Sequence, residues 1–79
     1  MFFPRTMKGN IEDYYLVDQL KDSEYIYITI WKELGVFRLY ANDILIAESM
    51  DKHAIQIEGH RIKRFLNKQL DIKVRTNLH

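Results

Sequence analysis

At 79 residues, 47% hydrophobic and 29% charged, the chain has the composition of a folded protein with one small core and no room for a second domain. It contains no cysteine, which excludes disulfides and thiolate metal sites and points to a reducing, cytoplasmic setting. The formal net charge of +1 hides an uneven distribution: residues 1–59 carry six Lys and Arg against ten Asp and Glu, and residues 60–79 carry six against one. An acidic body with a basic tail hints at an acidic partner or at self-association between unlike faces.

The segment 1–9 has no apolar run long enough for a signal peptide, nothing in the chain approaches a membrane span, and no repeat or linker divides it. A single domain over 1–79 is expected, with frayed ends at 1–9 and 76–79. Asn10 is placed to cap a helix over 11–21, with Asp13 in its first turn favouring the helix dipole. The competing reading pairs 14–20 as a strand through a turn at 21–24; the helix is preferred.

The centre of the chain is clearer. Tyr25-Ile26-Tyr27-Ile28-Thr29-Ile30-Trp31 alternates two residue classes with period two and is rich in β-branched and aromatic types, which predicts a strand. Glu33-Leu34-Gly35 supplies a turn, 36–41 the returning strand, Asn42-Asp43 the next tight connection and 44–48 a third strand. The stretch 52–69 reads in two ways. A single helix would enclose Gly59 at about 1 kcal/mol relative to alanine and would turn Ile57 off the apolar face, so a split is preferred. In it 54–58 is a short strand, Gly59 breaks it, and 60–69 is a helix burying Ile62, Phe65 and Leu66. Alternation over 70–75 then predicts a last strand with Leu70, Ile72 and Val74 inward and Lys73 and Arg75 outward at a sheet edge. The expected fold is α+β: a small antiparallel meander of three to five strands with one or two helices packed on one face.

Two constellations carry functional weight. One face of the central strand is plain core, Ile26, Ile28 and Ile30. The other presents Tyr25, Tyr27, Thr29 and Trp31, joined across the hairpin by Arg38 and Tyr40. Tyr25, Tyr27, Trp31, Arg38 and Tyr40 are the candidate partner-binding set, because Tyr, Trp and Arg dominate protein interfaces and the same residues can stack unpaired bases. The competing expectation is that a helix covers this face, since aromatics favour strands for packing reasons alone. The second constellation is basic. His60, Arg61, Lys63, Arg64 and Lys68 form a helical stripe suited to phosphate or to an acidic partner, with Gly59, His60 and Arg61 at a helix start as an anion site. The competing reading is an ordinary solvated helix face.

No arrangement for catalysis is expected. Ser49, Asp51 and His53 stand too close in sequence to line up as a triad and read as turn and capping residues. His53 and His60 are seven apart and lack a third ligand, so neither a metal site nor a cofactor is expected. The sequence therefore predicts a non-catalytic protein-binding module of inhibitor or adaptor type, docking on a larger protein or complex. The alternative is a nucleic-acid-binding regulator that stacks bases on the aromatic face and holds phosphates on the basic helix. Self-association as a homodimer is compatible with either, and no membrane contact is expected. In size and texture the chain resembles small accessory proteins of phages and mobile elements, a likeness that rests on no motif.

Overall fold

A computed structural model describes residues 11–70 and 72–78. In chain order they form α1 (Ile11–Leu20), β1 (Ile26–Glu33), β2 (Val36–Ala41), β3 (Ile44–Ser49), α2 (Lys52–Gln69) and β4 (Val74–Asn77). The strands make one sheet in the order β3-β2-β1-β4. The helix over 11–20 and the three central strands follow the sequence reading. Asn10, its expected cap, and the segment 1–9 lie outside the described residues.

β1, β2 and β3 form the expected antiparallel meander, with Trp31 opposite Arg38 and Thr29 opposite Tyr40. The β1–β2 turn has positive φ at both Leu34 (53°) and Gly35 (81°), the pattern of a type I′ hairpin whose twist matches that of the strands. Asn42 also takes a positive φ of 55° and uses its side chain as a continuation of the ladder. Its backbone N–H donates to Tyr27 O at 2.9 Å, its Oδ1 accepts from Tyr27 N at 2.9 Å, and its Nδ2 donates to Tyr25 O at 3.2 Å.

Two sequence expectations fail together. The segment 54–58 is not a strand: α2 runs unbroken through Gly59, starting at Asp51, whose Oδ1 accepts from His53 N and Ala54 N at 3.0 and 3.4 Å. Ser49 Oγ in turn accepts from Asp51 N at 2.9 Å. Gly59 belongs to the buried stripe Ile55, Gly59, Ile62 and Leu66, where a Cβ would stand 2.8 Å from Leu78 Cδ2 and 3.3 Å from Leu39 Cδ1. The helix-propensity cost of glycine is offset by close approach of the helix to the sheet. Ile57 does leave the apolar face and is exposed.

The sheet is consequently mixed, not purely antiparallel, because an uninterrupted 18-residue helix, about 27 Å long, returns the chain along the whole sheet before the next strand begins. β4 therefore runs in the direction of β3 and pairs parallel to β1, with Ile26 opposite Val74 and Tyr27 opposite Arg75. It is an edge strand with Val74 buried and Arg75 exposed, as expected, but it begins at Val74 rather than residue 70, while Leu70 and Ile72 pack on the core. Thr76 and Asn77, expected to fray, lie in β4, and Leu78 O accepts from Gln56 Nε2 at 2.9 Å. His79 lies outside the described residues.

The core sits between the sheet and the helices. Ile26, Ile28, Leu39 and Ala41 meet Ile62 and Leu66 of α2, with Leu16 and Leu20 of α1 completing the layer. Each large side chain removed from water there contributes about 1.5–3 kcal/mol.

Asn42 yields the first prediction. Asn42→Ala removes two side-chain hydrogen bonds and places a Cβ-bearing residue without a compensating side chain in the left-handed region, so a loss of about 2 kcal/mol is expected in urea unfolding. Asn42→Gly relieves the backbone term and should lose about half as much; equal losses for the two variants would contradict this role.

Candidate docking surface on the open sheet face

Period-two alternation in β1 sends Ile26, Ile28 and Ile30 toward α2 and Tyr27, Thr29 and Trp31 the other way. α2 packs on all four strands and α1 packs beside α2, both contributing to the same core cluster. The opposite face therefore has no described helix over it. Trp31 is 60% exposed, Tyr25 64% and Tyr27 39%, while Tyr40 is half-buried among its neighbours. The expectation that a helix seals these rings does not hold among the described residues.

The register adds residues that the aromatic pattern alone does not identify. Arg75 of β4 stands beside Tyr27, and Leu45 of β3 opposite Tyr40 is exposed. At the tip of the β1–β2 hairpin Leu34 is 99% exposed. Asn42 and Asp43 line two shallow hollows, one shared with Tyr25 and Tyr27 and the other with Trp31, Tyr40 and Glu33. Alternation already sends Arg75 outward and the turn signals already place Leu34, Asn42 and Asp43; the strand-pairing register is what brings Arg75 beside Tyr27 and Leu45 opposite Tyr40.

Arg38 sits opposite Trp31, but it is not a free cation. Its Nε donates to Glu48 Oε1 at 2.9 Å and its Nη1 to Glu33 Oε1 at 2.8 Å. Glu48, and behind it Glu33, raise the guanidinium above its ordinary value. With Asp43 exposed nearby, three carboxylates and two arginines stand around the aromatic face, Arg38 held by Glu33 and Glu48 and Arg75 exposed beside Tyr27.

The basic set divides. His60, Arg64 and Lys68 are exposed and Lys63 is half-buried along α2, and none of the four has an ion-pair partner among the described residues. Arg61 points inward. Its guanidinium reaches Asp13 of α1 at 2.9 and 3.2 Å and Glu58, three residues earlier in α2, at 3.0 and 2.7 Å. Asp13 is only 5% exposed. Arg61 thus leaves the phosphate-binding set, because carboxylates from two helices satisfy it, and it ties α1 to α2. The anion site expected at Gly59, His60 and Arg61 also disappears: those residues lie within a continuous helix, and its N-terminus is capped by the carboxylate of Asp51.

A groove of about 410 Å³ runs between α1 and β3, walled by Tyr15, Leu16, Ile44, Leu45 and Ile46, with Asp13 and Glu58, both bonded to Arg61, at its polar side. Among the described residues no group of three or more His, Cys, Asp or Glu could hold a metal ion, and no helix is long and apolar enough to cross a membrane. No protein-family model, curated protein or solved structure matches the chain.

Glu58, ahead of Asp13 and against the opposing effect of burial, raises the Arg61 guanidinium above its ordinary value. A raised folded-state value means that this stabilisation is complete below the arginine range and would fade only above it, so it does not vary across neutral pH. Arg61→Met removes the guanidinium that bridges Asp13 and Glu58 and should cost about 3 kcal/mol in thermal or urea unfolding. Arg61→Lys keeps the charge but not the fork and should cost about 2 kcal/mol. Wild-type stability in Arg61→Met would return Arg61 to the candidate contact residues.

Proposed function

We propose that the protein is a non-catalytic binding module that docks the open face of its sheet onto a larger protein, acting as an inhibitor or adaptor. The observation that carries this reading is the exposure of Trp31 and Tyr27, with Tyr40 between them on the neighbouring strand, on a sheet face with no described helix over it. A solvated sheet face ordinarily alternates to polar residues, whereas rings of this kind are the residues whose removal from an interface costs about 2 kcal/mol or more.

Leu34 supports the same reading. A bulky side chain at positive φ is strained, and asparagine or glycine is preferred at that turn position. A fully exposed leucine there gives the folded chain nothing in return, but it extends the apolar surface at the hairpin tip for a partner to cover.

The nucleic-acid reading is disfavoured by placement. Lys63, Arg64 and Lys68 lie on α2, on the other side of the sheet from Trp31 and Tyr40, so one strand of nucleic acid cannot engage them together with the rings, and Arg75 beside Tyr27 is the strand cation without an ion pair that the described aromatic face offers. Glu33, Glu48 and Asp43 around the rings also repel phosphates. An inhibitor or adaptor exerts its effect by occupying a surface, which asks nothing of this chain beyond a rigid, complementary face.

The test is a tagged pull-down from the native host, with and without nuclease. One stoichiometric protein is expected in both arms, lost when Trp31→Ser and Tyr40→Ser are combined while circular dichroism stays unchanged. Nucleic acid recovered only in the untreated arm would overturn the proposal. A second prediction concerns Leu34 alone: Leu34→Asn should raise stability by about 1 kcal/mol while weakening partner capture. A variant that is stabilised but captures the partner with undiminished affinity would remove Leu34 from the surface.

A further inference from the structure

We infer that the groove between α1 and β3 is a docking site for this chain's own segment 1–9, taking Phe2 and Phe3 on its apolar walls and Arg5 at its acidic side. The groove marks where the described core is unfinished. Ile44 and Ile46 of β3 pack against the core cluster on the helical side of the sheet, yet both stay half-buried, whereas Ile26 and Ile28 of the central strand are fully buried. Tyr15 of α1 and Leu45 of β3 stand exposed at the rim. At about 410 Å³ the groove falls within the roughly 300–1,000 Å³ that ligand sites occupy.

Chain length, composition and charge select the occupant. Segment 1–9 leads through Asn10 into α1, and Asp13, Leu16 and Gln19 of that helix line the groove. The nine residues from Phe2 to Asn10 extend to at most about 30 Å, against about 15 Å for the whole of α1, so the segment can reach back along the helix. Tethering presents it at an effective concentration of about a millimolar, which a separate partner must match. Met1, Phe2, Phe3 and Met7 are large and apolar, and the segment carries Arg5 and Lys8 with no Asp or Glu. The charged residues lining the groove are Asp13 and Glu58, and the single guanidinium of Arg61 is shared between them, which leaves negative charge in excess at the polar side. An apolar segment with an arginine beside its rings matches both walls and polar side.

The test uses the full isotope-labelled chain, with a free peptide of residues 1–8 as probe. The rings of Phe2 and Phe3 should show nuclear Overhauser contacts to methyl groups of Leu16, Ile44 and Ile46 within one chain. Phe2→Ser and Phe3→Ser together vacate the groove, so the peptide should bind that variant at least about tenfold more tightly than wild type, in which the tethered copy competes. The same peptide carrying Arg5→Glu should bind the variant about threefold more weakly than the unaltered peptide. Leu34→Ser, at the fully exposed hairpin tip, should leave peptide binding as weak as in wild type. Absence of the ring-to-methyl contacts, or equal peptide affinity for wild type and the double variant, would overturn the inference. Contacts found only between differently labelled chains would put a second copy's segment in the groove and overturn it as well. Should the double variant not fold, the wild-type contacts decide alone. Docking at the sheet face is tested separately, since Tyr27, Trp31 and Tyr40 do not line the groove.

Discussion

The close approach of α2 to the sheet at Gly59 governs how the rest of the chain is arranged. Gly59 lets Leu39 and Leu78 fill the space that a side chain would take, and the helix runs through it without a break from Lys52 to Gln69. That continuity returns the chain along the sheet and fixes β4 as a parallel edge strand beside β1. It also fixes which face of β1 is buried. With the isoleucine face committed to α2, the tyrosines and Trp31 are left on the outer side by the pleat, with no further choice to be made.

Charge follows the same geometry. Along the sequence the chain looks like an acidic body with a basic tail, but folding interleaves the charges. Exposed Arg64 and Lys68 of α2 share the helical layer with Asp18 of α1, and Glu33, Glu48 and Asp43 share the outer sheet face with Arg38 and Arg75. Between the layers, Arg61 gathers Asp13 and Glu58 and joins the two helices. Two arginines that look interchangeable in sequence thus do different work. Arg61 is a structural tie, and Arg38 is held on the surface between Glu33 and Glu48, where screening by water limits what the pairs add to stability.

Much of this was legible in the residues. The period-two run at 25–31 carries both the strand and its two faces, and Asn42-Asp43 and Gly35 mark the turns through the conformations they tolerate. The split of 52–69 was misread because local propensity penalises a mid-helix glycine. The penalty is real, about 1 kcal/mol, yet Ile55, Gly59, Ile62 and Leu66 keep helical spacing, and a glycine on such a stripe signals close packing as readily as it signals a break. The parallel pairing of β4 could not be read independently, since it follows from the length of that helix. Arg61 was misassigned because its partner in α1 is 48 residues away, and no local pattern announces a contact of that separation.

The surface proposed for docking breaks local rules at several points, and the breaks lie together. Among the described residues both helices lie on one side of the four-stranded sheet, so a second face with no described helix over it follows from the arrangement. What is avoidable is its composition. A sheet face left to water needs threonine, lysine and glutamate, and here it presents Trp31, Tyr27 and an exposed Leu45, with a strained and fully exposed Leu34 at the adjoining hairpin tip. Each of these residues lowers solubility or stability for the isolated chain. Departures of this kind, concentrated on one face while the core, caps and turns elsewhere obey the usual physics, are best accounted for by a requirement outside the fold itself. A partner that covers the face would bury those side chains and supply the stabilisation that the free domain forgoes.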